Sequence, residues 1–183
     1  MIKMIRFIFA IVFVSGLQVS AVYAADMKGK TLYTQVNMHS YKGKAVTWVN
    51  YNVDAFIPVN TPVEVISAGG WSGLKFKLKE SGVTLKLKNK SRHSGLSDEE
   101  WAEKHFGEKK VKLNKFSKSE RNAIEAGEIK VGMSKDAVIV SRGYPPAHKT
   151  PSLKSSSWLY WNTRWNKVQV IFGSNGKVSR VRD

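Results

Sequence analysis

Ile129-Lys-Val-Gly-Met-Ser-Lys-Asp-Ala-Val-Ile-Val-Ser-Arg-Gly-Tyr-Pro-Pro146 carries a complete set of helix start and stop signals. Ser134 is placed to cap a helix, its hydroxyl accepting a hydrogen bond from an amide of the open first turn, and Met133 can pack on Val138 as a hydrophobic staple. Gly143 suits the left-handed position just past a helix, and Pro145 and Pro146 cannot continue one, because proline lacks the amide hydrogen and clashes with the preceding turn. These signals predict a helix from Lys135 to Arg142. Downstream, Trp158-Leu-Tyr-Trp161, Val168-Gln-Val-Ile-Phe172 and Lys177-Val-Ser-Arg-Val181 read as three short strands, separated by turns at Asn162-Thr-Arg164 and Gly173-Ser-Asn-Gly176.

The order Ile129-x-Val131-Gly132-Met133-Ser134, short helix, Gly143-x-Pro145, then Trp158-x-Tyr160 and Val170-x-Phe172 with a Gly-Lys-Val turn, resembles the SmpA/OmlA (BamE-like) family of small outer-membrane assembly lipoproteins. The resemblance covers about the last third of the chain, from near Ser117. It implies two helices packed on a three-stranded antiparallel sheet, in a binding module that works in the bacterial envelope without cofactor or catalysis. It also implies a link to outer-membrane protein assembly or envelope integrity.

At the other end, Met1 to Ala25 places Lys3 and Arg6 before the apolar run Phe7 to Val14, followed by small residues ending in Ala21-Val-Tyr-Ala24-Ala25. This is the pattern of a cleaved secretory signal peptide, and the run is too short for a membrane-spanning helix of about 20 apolar residues. No cysteine is present. Export would permit disulfides, yet the chain has none, and it also lacks the lipid-attachment cysteine of the family's lipoprotein members. The expected product is exported and periplasmic, peripheral to the outer membrane at most, and not a lipoprotein.

Removing Lys3 and Arg6 with the leader takes the 30 Lys and Arg to 28 against 14 Asp and Glu, a formal +14. Charge of that size bears on partners and solubility more than on fold. A mature length of about 158 residues suits one medium domain or two small ones, and the reading adopted is two.

The first, residues 26–90, is strand-rich. Leu32–Val36, Ala45–Val49, Val63–Ile66, Leu74–Leu78 and Val83–Leu87 are separated by Gly, Asn, Pro and Ser at near-regular spacing, which suggests a small barrel. Pro58-Val-Asn-Thr-Pro62 before a strand, with a glycine-bearing turn after it, resembles a bacterial SH3-type barrel. Leu74, Phe76 and Leu78 alternate with Lys75, Lys77 and Lys79, and Leu85 and Leu87 with Lys86 and Lys88, so one face is core and the other a lysine field. Such a face is either a solvated surface whose lysines discourage edge pairing, or a site for an anionic surface such as lipid headgroups or lipopolysaccharide. With only Glu80 close by, the mixed signs usual on a merely soluble surface are missing.

Residues 91–116 read as a helical linker. Ser97-Asp-Glu-Glu100 is a capping box that opens a helix with Trp101, Ala102, His105 and Phe106 on one stripe, and Ser117-Lys-Ser-Glu120 repeats the signature for the first helix of the domain at 117–183. Between them, Glu108 to Lys115 is an interdomain linker or a strap across the barrel. The fold expected is thus α+β: an SH3-like barrel, a helical linker and a two-helix, three-stranded meander.

His39, His93, His105 and His148 show no metal-ligand spacing, no glycine-rich phosphate loop is present, and no Gly-x-Ser-x-Gly marks a nucleophile. The residues point to no enzyme, cofactor or metal. Of the six tryptophans, four sit in or beside strands, and because Trp158 and Tyr160 point to one face of the meander and Leu159 and Trp161 to the other, two short helices cannot hide all these rings; at least one aromatic should be exposed or lie between domains. With Trp161 and Trp165, the stretch Tyr144, Pro145, Pro146, His148 and Lys149 makes a candidate protein-contact patch. Three functions compete: an envelope adaptor with a protein partner and an anionic surface, a cell-wall glycan binder, and a nucleic-acid binder. The signal peptide argues against the last of these.

Overall fold

The computed structural model describes residues 27–183; the segment 1–25, expected from its sequence to be a signal peptide, lies outside them. Short alternating runs in the first half form β1 (Thr31–Thr34), β2 (Met38–His39), β3 (Ala45–Thr47), β4 (Phe56–Ile57), β5 (Pro62–Ser67), β6 (Lys75–Leu78) and β7 (Thr84–Lys88). Next come helices α1 (Ser91–Ser94) and α2 (Asp98–His105) and strand β8 (Phe106–Gly107). Helices α3 (Lys118–Ala126) and α4 (Lys135–Arg142) then precede strands β9 (Ser157–Trp161), β10 (Lys167–Phe172) and β11 (Val178–Arg182). The protein is mixed α+β, with four helices and a curled half-barrel sheet among the described residues.

That sheet has the order β3-β7-β6-β5-β1-β8, and β2 with β4 makes a separate ribbon. The period-2 alternation sends Val63, Val65, Phe76, Leu85 and Leu87 inward, where each large apolar side chain contributes roughly 1.5–3 kcal/mol by leaving water. One pairing departs from a simple meander. β3 runs parallel to β7, with Ala45 opposite Lys86 and Thr47 opposite Lys88, while every other pair in the sheet is antiparallel. Parallel neighbours need a long crossover, here the whole of β4 to β6, and no local turn signal encodes that.

The second core lies under α3, α4 and the β11-β10-β9 meander, around Ile124, Val138, Trp158, Tyr160 and Val170. Helix α4 spans the predicted residues. Ser134 accepts from the Ala137 amide, and Gly143 closes the end with φ 79° and ψ −175°, a conformation that is extended in ψ rather than left-handed helical. Both capping boxes are formed, Ser97 with Glu100 and Ser117 with Glu120.

Residues 91–116 are divided between the two cores. Trp101, Ala102 and Phe106 join the first, β8 adds an edge strand against β1, and Phe116 belongs to the second. A linker would carry little apolar surface, but this segment buries the aromatic stripe that its capping box introduces. The charged stretch after it is a strap tied to the half-barrel: Gln35 donates to the Lys109 carbonyl at 3.0 Å, and Asn60 exchanges two bonds with the Val111 backbone at 3.1 and 2.7 Å.

The cores meet through Ile139, which packs on both, and through Asn37, only 1% exposed. The Asn37 side chain donates to the carbonyls of Ile124 at 2.6 Å and Ser141 at 3.1 Å, and its oxygen accepts from the Val59 amide at 2.7 Å. Its backbone carbonyl accepts from Asn50, which also donates to the Arg142 carbonyl. A buried amide with all these partners met fixes the relative placement of the two halves.

Candidate functional site

The β6–β7 alternation holds at the level of side chains, since Lys75, Lys77, Lys86 and Lys88 are exposed while Phe76, Leu85 and Leu87 are buried. The field divides, however. Lys79 donates to Thr31 Oγ1 at 2.9 Å, and Lys88 turns over the Tyr41 ring, 5.2 Å from its centre. Lys75 and Lys86 are direct cross-strand neighbours, and Glu64 on β5 sits opposite Lys77. Glu80 is therefore not the only acid beside this face, because strand register brings in a residue distant in sequence. Like charges directly opposite each other cost a few tenths of a kcal/mol up to about 1, so the Lys75–Lys86 pair is kept against its own repulsion. The same β5–β6 connection presents Trp71, fully exposed, on a single 3₁₀ turn.

The predicted protein-contact patch also divides. Pro145 and Pro146 are buried and cannot contact a partner. Tyr144 is half-buried, packed on the first core with the His105 ring 5.4 Å away and Lys104 Nζ 4.0 Å over its face. The chain leaving α4 thus packs Tyr144 on the half-barrel core, which helps to hold the two halves together. His148 and Lys149 remain exposed, Trp161 is half-buried, and Trp165 is 82% exposed.

Around Trp165 lies a cleft of about 420 Å³, a size typical of small-ligand sites. Tyr41, Trp48, Tyr51 and Trp165 wall it, and Lys88, Lys90 and Arg164 stand at it. The parallel pairing of β3 with β7 explains the convergence: Trp48 follows β3, Lys88 ends β7, and parallel strands bring both ends to the same side, with the Trp48 amide donating to the Lys88 carbonyl at 3.2 Å. Trp165 arrives on the β9–β10 turn. There Thr163 Oγ1 accepts from the amides of Trp165 and Asn166 at 3.2 and 3.0 Å, so the exposed ring rides on an ordered turn.

Behind the cleft runs a stack of rings. His93 lies on Trp48 at 5.5 Å and 20°, His148 meets both edge-on, and Trp161 stacks on His148 at 5.7 Å and 20°. Desolvation by these neighbours, followed by the charges of His93 and Lys149, holds His148 below the ordinary imidazole value. Trp48, Tyr41, Tyr51, Lys90, Arg164 and Trp71 escaped the sequence reading. A basic residue beside tryptophan in a turn, Arg164-Trp165, was the one local signal.

Among the described residues no group of three or more His, Cys, Asp or Glu is placed to hold a metal, and no helix is long and apolar enough to cross a membrane. Comparison with family models, with curated proteins and with solved structures finds no match.

Proposed function

We propose that the chain is a non-catalytic, exported adaptor of the cell envelope that rests on an anionic surface through its half-barrel and meets a protein partner through its other half. The observation that carries this reading is the outward face of β6 and β7, where Lys75, Lys77 and Lys86 are exposed, with Trp71 exposed in the turn that leads into β6. Each lysine near an anionic leaflet contributes about 1 kcal/mol, so three give roughly a hundredfold preference over a neutral surface. A tryptophan at headgroup depth adds an interfacial anchor without an acyl chain. In the finer reading the half-barrel is an opened SH3-like barrel and 117–183 a BamE-like domain. The α3–α4–β9–β10–β11 order and the Ser134 and Gly143 boundaries support this by analogy of fold alone. The histidines favour a non-catalytic role: His39 and His105 are buried, and His93 and His148 are stacked on tryptophans.

Co-sedimentation with vesicles tests the surface reading. Wild-type protein should bind vesicles rich in phosphatidylglycerol at low salt and release near 1 M salt, where the screening length is about 3 Å. Lys75→Glu with Lys77→Glu and Lys86→Glu should abolish binding with the fold intact. Equal binding by the triple variant, or wild-type protein that ignores anionic vesicles, would defeat the proposal.

A further inference from the structure

We infer that the cleft between the β3–β7 end and the β9–β10 turn is a binding site for an acidic oligosaccharide, a chain of sugar rings bearing carboxylate or phosphate groups. The inference is independent of the lysine face, and it rests on how the rings are backed. Trp48 has one face covered by His93, Tyr41 has Lys88 at its ring, and Trp165 has the Arg164 guanidinium 5.0 Å from its centre. Lys42 also lies at the Tyr41 ring, 5.6 Å from its centre, and all three rings still line the open cleft, where a ligand can reach them. Single aromatic faces set at angles to one another, as Tyr41 and Tyr51 are at 50° and 6.5 Å, suit the puckered C–H faces of successive sugar rings.

The charge of the ligand follows from the lining. Lys88, Lys90 and Arg164 stand at the cleft and no carboxylate lines it, so an anionic ligand meets cations and no repulsion. The three cations on rings, Lys42 and Lys88 on Tyr41 and Arg164 on Trp165, also make those rings' environment positive, which a neutral sugar does not use. Asn89 and the threonines Thr47 and Thr163 supply the few uncharged polar groups. Asn89 is already fixed, donating to the Leu96 carbonyl at 2.9 Å and accepting from Ser94 at 2.8 Å, so the wall is formed before any ligand arrives. The volume holds about two sugar rings at a time, the scale of a site that reads a short stretch of a longer chain. Aromatic platforms with cations also suit single-stranded nucleic acid, but an export leader directs this protein away from it.

Calorimetric titration of the full mature chain decides the matter. The probes are tetragalacturonate, a 6-phosphorylated mannose oligomer, chitotetraose as the neutral control, and oligothymidylate of four nucleotides. The expected result is binding of one or both acidic sugars at least tenfold tighter than chitotetraose, and which of them binds separates carboxylate from phosphate sources. Trp165→Ala, at an exposed position, should weaken it at least tenfold, as should Lys90→Glu with Arg164→Glu, with circular dichroism unchanged. The inference is overturned if neither acidic sugar binds, if chitotetraose binds as tightly, if oligothymidylate binds more tightly than both, or if folded Trp165→Ala and the charge-reversed variant bind like wild type.

Discussion

Glu120 on α3 accepts two hydrogen bonds from Ser134, the cap of α4: the Ser134 amide lies 2.9 Å and its hydroxyl 2.8 Å from one carboxylate oxygen. The other oxygen accepts from the amide and hydroxyl of Ser117, both at 3.0 Å. One carboxylate thereby ties together the starts of both helices, where the open amides and the helix dipole favour negative charge.

Partial burial pushes the Glu120 carboxyl up, but the four bonds from Ser134 and Ser117 outweigh it and bring the pKa down from 4.5 to about 2. The unfolded chain therefore binds the extra proton between these values. The stability Glu120 contributes is complete above pH 4.5 and disappears as pH falls toward 2. Discounted for solvent screening, Glu120→Gln should cost about 1–2 kcal/mol at pH 7. Urea unfolding checks this: the gap between wild type and variant should close by pH 2.

His39 and His105 act in the same direction at higher pH. Desolvation lowers His39 to about 4, with the Arg142 charge adding to it, and lowers His105 to about 3, where its ring is stacked on Trp101 with the ring centres 3.7 Å apart. Both are neutral in the fold and titrate near 6.5 when unfolded. Stability is thus full above pH 6.5 and falls as the unfolded chain takes up protons below it. Between pH 6.5 and 5 the two together should remove about 2–4 kcal/mol. Thermal melts across that range test it, and His105→Phe, if folded, should flatten roughly half of the slope.

Asn37→Ala would strand the Val59 amide and the carbonyls of Ile124 and Ser141 in a dry junction. The cost should be about 3–5 kcal/mol. Hydrogen exchange should show loss of protection at Val59 and at the C-terminal ends of α3 and α4 before the centres of β6 and β10 are affected. Uniform loss across both cores would contradict the role assigned to Asn37.

Gly143→Val should also destabilise, by about 2–3 kcal/mol. At φ 79° a β-branched residue is strained, and a Cβ there would lie 3.1 Å from Asn50 Nδ2, disturbing the amide that bonds Asn37 and Arg142. Chemical unfolding of Gly143→Val against Gly143→Ala isolates the cost of the branch, since the alanine variant keeps both the strain of positive φ and the Cβ contact with Asn50.

Local chemistry made much of the fold readable. Ser97, Ser117 and Ser134 announce helix starts, Gly143 and the two prolines a stop, and the Lys-Phe-Lys-Leu alternation a strand with one buried face, because each of these signals acts within a few residues. What could not be read depends on distance along the chain. Nothing near Ala45 says that it will run parallel to a strand 41 residues later, so neither the half-barrel order nor the meeting of Trp48 with Lys88 was visible. Glu64 beside Lys77 was hidden for the same reason. Tyr144, Pro145 and Pro146 look like a surface loop in isolation, yet the prolines are buried and Tyr144 packs on the half-barrel core, a neighbour distant in sequence.

The Asn37 contacts reach 87 and 104 positions ahead, which sets an order in time. A chain that emerges amino end first completes β1 to β7 well before Ile124 and Ser141 exist to receive its amide. Until then the half-barrel has an open flank where Ile139 and Tyr144 will later pack, and Asn37 can satisfy its side chain only with water. Long-range closures of this kind are slow steps in folding. The early half is then the one exposed to misassociation, and its protection arrives last, with the turn out of α4.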